Sequence, residues 1–167
     1  MNTQQLPMAS PKAATEAPAG DGGSHDDALG LAWAAGFLDG EACIHIAKQR
    51  YKGRRADTYR LGVYVAQNDL PTLEALRDAV GISAPIYKTK RARNHSRQCY
   101  TLNFNGRKAL HLLQEVGEFF RRKKPESNAG LCFWVEGQMG IPSNGKPVDP
   151  NIVAVREHYY QLMKRLK

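Results

Sequence analysis

The chain has 167 residues, 42% of them apolar and 24% charged, which suits one domain with its own core, and no apolar run approaches the roughly 18 residues that cross a bilayer. Three cysteines, Cys43, Cys99 and Cys132, stand far apart without CxxC spacing, which argues against a disulfide framework or a thiolate zinc site and makes a reducing intracellular compartment the expected location. The net charge of +8 is uneven: residues 1–28 carry −3, leaving +11 on residues 29–167, a balance that suits a polyanion such as nucleic acid.

Residues 1–28 are rich in Ala, Pro, Gly, Ser and Gln and nearly free of large apolar side chains, so they are expected to form a disordered tail before a single folded domain, residues 29–167. The tail lacks the apolar segment of a secretion signal and is too acidic for an organellar transit peptide. A helix is predicted over 29–38, opened near Asp27 and stopped by Gly40, with Ala32, Ala35 and Gly36 as a face of small residues that lets two backbones approach closely. A strand follows, with Ile44 and Ile46 on one side and Cys43, His45 and Ala47 on the other, running into a basic turn at 52–55. In the next strand Tyr59, Leu61, Val63 and Val65 alternate with Thr58, Arg60, Gly62, Tyr64 and Ala66.

Asn68, Asp69 and Pro71 open a second helix that buries Leu73, Leu76 and Val80 and closes at Gly81. Strands over 86–91 and 97–105 flank a polar turn at 94–96, which predicts a hairpin. A helix over 107–120 would bury Ala109, Leu110, Leu113 and Val116, and two more, over 126–139 and 152–166, are separated by the Pro- and Gly-rich loop 140–150. Trp33, Phe133 and Trp134 are read as core, His111 and His158 as surface, and Tyr159 and Tyr160 as packing for the last helix.

The cations fall on the strands and their turns: Lys48, Arg50, Lys52, Arg54, Arg55 and Arg60 in the first pair, Lys88, Lys90, Arg91, Arg93 and Arg97 in the second, and residues 86–105 contain no acid. A sheet with an apolar face under helices and a basic face outward is shaped to lie along a duplex. Alternation assigns base and phosphate contacts to His45, Gln49, Thr58, Arg60, Tyr64, Lys88, Lys90, Gln98, Thr101 and Asn103, with Arg54, Arg55, Arg93 and Arg97 in or beside the turns. Asp39 and Glu41 stand at the negative end of the first helix, where carboxylates are disfavoured by roughly 0.3–1 kcal/mol each. With the exposed Gly40 carbonyl they form an oxygen-rich corner suited to a hard cation such as Mg²⁺, with Mn²⁺ able to substitute.

The segment from Leu31 to Ile46, LAWAAGFLDGEACIHI, resembles the signature motif of the LAGLIDADG homing endonucleases. The resemblance covers about residues 29–140 and implies an α+β fold of order αββαββα with C-terminal helices. It further implies that Glu41 is the metal-holding acid, that Gln67 orders water and that Lys123, or its neighbour Lys124, is the catalytic lysine. One motif copy implies a symmetric dimer through Ala32, Ala35 and Gly36, cutting double-stranded DNA at a near-palindromic site. Ala42 stands where the family usually has Gly, and Pro71 where some relatives place an assisting basic residue. The same fold would also serve a DNA-binding regulator without nuclease activity or an RNA-binding intron maturase.

Overall fold

The computed structural model describes residues 22–50, 57–89, 97–141 and 147–167. The elements are α1 (Gly22–Glu41), β1 (Cys43–Gln49), β2 (Thr58–Gln67), α2 (Leu70–Ala79), β3 (Ile86–Lys88), β4 (Tyr100–Asn105), α3 (Arg107–Val116), a 3₁₀ turn (Gly117–Phe119), α4 (Lys124–Glu136) and α5 (Pro150–Arg165). This is the predicted αββαββα order followed by two helices. The strands form one antiparallel sheet of order β1-β2-β4-β3.

Period-two alternation decides which side of the sheet is covered. Ile44, Ile46, Tyr59, Leu61, Val63, Val65, Leu102 and Phe104 are buried beneath the helices, and intervening residues face outward. Their helical partners include Leu38, Leu73, Leu76, Leu112, Leu113 and Phe133, so sheet and helices share one core. In α2, Asp69 accepts from the Thr72 backbone N–H at 3.1 Å and Pro71 sits in the first turn, as expected for a capped start. Gly81 follows with φ +62°, a left-handed stop that only glycine takes without strain.

Several expectations need correction. The first helix starts at Gly22, seven residues before Leu29, and Asp27 lies inside it near the positive end instead of capping it. Gly40 does not stop it by a positive φ; the helix runs on to Glu41, and the Ala42 N–H still bonds to the Leu38 carbonyl at 3.0 Å. Side chains from elsewhere satisfy the Gly40 carbonyl, so no left-handed cap is required. In α3 the buried position is Leu112, with Leu110 half-buried, because the helix turns Ala109, Leu112, Leu113 and Val116 toward the core. Trp33 is 43% exposed, stacked on Phe37 at 5.6 Å between centroids, whereas Phe133 is buried and Trp134 packs against the core as expected. The turns predicted at 52–55 and 94–96 lie outside the described residues, as do Arg54, Arg55, Lys90, Arg91 and Arg93.

Helix α5 is tied to the sheet by an ionic network. The Glu157 carboxylate accepts from Lys48 Nζ at 2.7 Å, Tyr59 Oη at 2.5 Å and Gln161 at 2.8 Å. Lys48 therefore belongs to the helix side, paired with Asp57 and Glu157, and is not part of the outward basic face. Donation from Lys48, Tyr59 and Gln161 holds the Glu157 carboxyl down at about 2, and burial together with Glu157 pushes the Tyr59 hydroxyl up to about 12. A depressed carboxylate stabilises the fold above its ordinary value of 4.5 and loses that contribution as pH falls toward 2; a raised phenol does so below 10 and loses it as pH rises toward 12. Glu157→Gln is accordingly expected to lower the melting temperature at neutral pH, and the gap to wild type should narrow as pH drops below 4.5. A pH-independent gap in thermal melts would contradict this.

Candidate active site and nucleic-acid face

The C-terminal end of α1 gathers two distant segments. Gln67, at the last position of β2, donates to Glu41 Oε2 at 3.2 Å. From the start of α4, Lys123 donates through Nζ to the Gly40 carbonyl at 3.2 Å, and Arg122 donates through Nη1 to the same oxygen at 3.0 Å. Glu41 is exposed, while Lys123 is only 7% exposed, so the acid faces solvent and the lysine is held within the wall of the site. The residues singled out on sequence grounds, Glu41, Gln67 and Lys123, thus meet at one corner although 82 residues separate the first from the last. Lys124 turns away to Glu118 at 2.7 Å and to the Gly117 carbonyl at 3.3 Å.

Asp39, expected to help hold a metal, has its carboxylate engaged by backbone N–H groups. Its Oδ2 accepts from the backbone N–H groups of Arg121 at 3.1 Å and Arg122 at 3.0 Å, and its Oδ1 from that of Lys123 at 2.8 Å. Burial alone would raise its pKa, but those three N–H bonds and the nearby Lys123 charge outweigh it and leave the carboxyl below its ordinary value. Asp39 is a clamp that fixes the 121–123 segment against α1. Ala42, where a larger residue than glycine stands, is accommodated as a buried member of the core.

The outward face of the sheet carries Cys43, His45, Ala47 and Gln49 on β1, opposite Tyr64, Gly62, Arg60 and Thr58 on β2, and continues into Thr101, Asn103 and Asn105 on β4. Arg60 and Gln49 are exposed, Tyr64 is exposed and edge-on to His45 at 5.5 Å, and Thr58 donates to the Gln49 carbonyl at 3.0 Å. A Cβ at Gly62 would lie 2.5 Å from the imidazole Cε1, so a larger residue there would make the His45 ring swing aside. Burial, with smaller contributions from the Lys167 and Arg60 charges, pushes the His45 pKa below its ordinary value against the opposing influence of the Cys43 backbone.

In β3 the parity differs from the expected one. Lys88 pairs with Tyr100 and so shares the helix-side parity of Ile86 and Leu102, although it remains exposed at the sheet end. Tyr87, 56% exposed, takes the outward position opposite Thr101. Thr89 joins that face, its hydroxyl 3.1 Å from that of Thr101. Gln98 spends its amide on the Thr89 and Cys99 carbonyls at 2.7 and 2.8 Å, bracing the hairpin, and Arg97 is exposed. Tyr87 and Thr89 were missed because the alternation in 86–91 lacks a second apolar residue to set its phase; Arg122 was missed because its neighbour Lys123 absorbed the motif match.

The family model for the LAGLIDADG endonucleases matches residues 34–135. No curated protein matches the sequence. Among solved structures, the fold is similar to that of the homing endonuclease I-CvuI in complex with the I-CreI target, at 18% identity and TM-score 0.66 over 85% of this chain and 84% of that one. It is similar as well to I-CvuI in complex with its own target, at 19% identity and TM-score 0.66 over 86% and 85% of the two chains. The archaeal intron-encoded homing endonuclease I-Vdi141I, complexed with DNA, matches at 15% identity and TM-score 0.65 over 84% of this chain and 86% of that one. Together with the motif helix, the four-stranded sheet and the gathered corner of Glu41, Gln67 and Lys123, the match over 34–135 shows that this chain, with its single motif copy, belongs to the LAGLIDADG endonuclease family.

Proposed function

We propose that this chain is a site-specific DNA endonuclease that works as a homodimer and makes a metal-dependent double-strand break in a long, near-palindromic site. The observation that carries the reading is the convergence of Glu41, Gln67 and Lys123 at one end of α1. The likeness to I-CvuI and I-Vdi141I, both solved in complex with DNA, supports a duplex as substrate.

An exposed Glu41 carboxylate is an oxygen donor of the kind that Mg²⁺ takes, whereas the Gly40 carbonyl already accepts from Lys123 and Arg122 and is not free to join it. With Asp39 occupied by backbone N–H groups, and no group of three His, Cys, Asp or Glu among the described residues placed to hold a metal, one chain supplies a single carboxylate. A second chain's Glu41 and the phosphate oxygens complete the set, which is a reason for dimerisation as well as for two cuts. When bound there, Mg²⁺ or Mn²⁺ supplies charge neutralisation and activation of water. Gln67 orients solvent through its amide, and Lys123, anchored on Gly40, stabilises negative charge developing on the phosphate.

The dimer reading rests on α1. Ala34, Ala35 and Leu38 face the chain's own core, so Ala35 is not available to a partner. Leu29, Ala32, Trp33, Gly36 and Gly40 are exposed at helical spacing, leaving a second apolar or small-residue stripe on a helix already buried on its other side. A Cβ at Gly36 would meet nothing within 4 Å in the single chain. Gly36→Leu should therefore leave the monomer folded while weakening self-association about tenfold to hundredfold, the effect of roughly 1–3 kcal/mol of overpacking at a close helix contact. Sedimentation across a concentration series reads this directly; unchanged association would move the interface elsewhere. The nuclease reading is tested by incubating the protein with DNA of the host insertion site and Mg²⁺ or Mn²⁺: double-strand cleavage is expected, and binding without any nicking at either metal would refute it.

A further inference from the structure

The Gly40 carbonyl accepts from two cations, and the two are placed differently. Lys123 is buried and reaches the oxygen from within; Arg122 is exposed and reaches it from the solvent side of the corner. A guanidinium carries five N–H donors in a rigid fork, and this contact uses one through Nη1. Among the described residues no carboxylate lies within 4 Å of the Arg122 guanidinium. Its backbone is fixed as well, since its N–H and those of Arg121 and Lys123 are held by Asp39. A fixed, solvent-facing fork without a carboxylate partner, next in line to the one accessible acid of the site, is built to receive an external anion with oxygens in a plane.

We propose that Arg122 grips the scissile phosphodiester, donating to a non-bridging oxygen with the N–H groups left free by its contact to Gly40. This rests on the nuclease reading, and it adds a second phosphate contact to the one Lys123 makes. A phosphate there does not need Arg122 to leave Gly40, because the carbonyl occupies one donor only. The competing account is that Arg122 merely satisfies a helix-terminal carbonyl, as basic side chains often do.

The two accounts separate in a binding cycle without divalent metal. Wild type and Arg122→Ala are titrated by fluorescence anisotropy against the insertion-site duplex and against duplexes carrying an uncharged methylphosphonate in turn at each central phosphate. Wild type should lose about tenfold to hundredfold in affinity at one central position, the fold-change that corresponds to a charged hydrogen bond. Arg122→Ala should show most of that loss already on the unmodified duplex and a clearly smaller further loss with the methylphosphonate, the part that Lys123 carries. Arg122→Lys should recover part of it, since a point charge replaces the fork. If Arg122→Ala lowers the melting temperature but keeps the full methylphosphonate sensitivity of wild type, the residue is a helix cap and the proposal fails. Failure of the nuclease reading shows up separately, as wild-type protein that binds the site and never cuts it.

Discussion

Glu41→Gln should abolish cleavage and leave DNA affinity nearly unchanged. The substitution keeps the size of the side chain and its reach toward Gln67, which donates to it at 3.2 Å, and removes the corner's exposed carboxylate, the one not clamped by backbone N–H groups among the described residues. Losing the anchor for a divalent cation costs several kcal/mol of transition-state stabilisation, on the order of a thousandfold or more in rate. In the proposed complex the affinity comes from the outward face of the sheet and from cations near the phosphates, so it should persist; loss of a negative charge beside the phosphates would tighten it if anything. Single-turnover cleavage on a labelled duplex, with anisotropy for affinity, measures both. A variant that still cuts within about tenfold of wild type would remove Glu41 from the mechanism.

Asp39→Ala should act through stability instead. Three backbone N–H groups, those of Arg121, Arg122 and Lys123, lose their acceptor together. Charged hydrogen bonds and stranded donors each cost about 1–3 kcal/mol; because this carboxylate is partly exposed, a net loss of about 2 kcal/mol is reasonable. For a chain of this size that lowers the melting temperature by about 4–8 °C. The folded carboxyl lies below its ordinary value of 3.8, so the contribution is complete above that pH and disappears as the pH falls beneath it. Cleavage should fall too, since Lys123 and Arg122 reach Gly40 from the segment that Asp39 holds. Asp39→Asn, which keeps one acceptor oxygen, should lie between. If Asp39→Ala melts like wild type and higher Mg²⁺ restores its activity, Asp39 is a metal ligand after all.

Much of the fold was legible because the signals were local. Alternation from Tyr59 to Val65 needed only period two and a buried side, and Asp69, Pro71 and Gly81 mark the ends of α2 by chemistry confined to a few residues. The motif helix was legible through its small residues and paired acids, and the meeting of Glu41, Gln67 and Lys123 through resemblance, since nothing in local spacing links positions so far apart.

By itself the sequence determined the element order, the buried face of β1 and β2, and the presence of one acidic motif in a basic chain, because each follows from side-chain type and short-range period. Tertiary structure alone decided which of two neighbouring acids is accessible: three N–H groups from beyond residue 120 occupy Asp39 and leave Glu41 open. It also decided that Lys48 answers to Glu157 on α5, that Lys88 follows the helix-side parity, and that Trp33 stands outside the chain's own core. For Asp39, Lys48 and Lys88 the deciding partner lies on another element, so the outcome depends on a distance that no run of consecutive residues encodes. The motif at residues 31–46 therefore names the corner, and the segment at 121–123 determines how its charges are arranged.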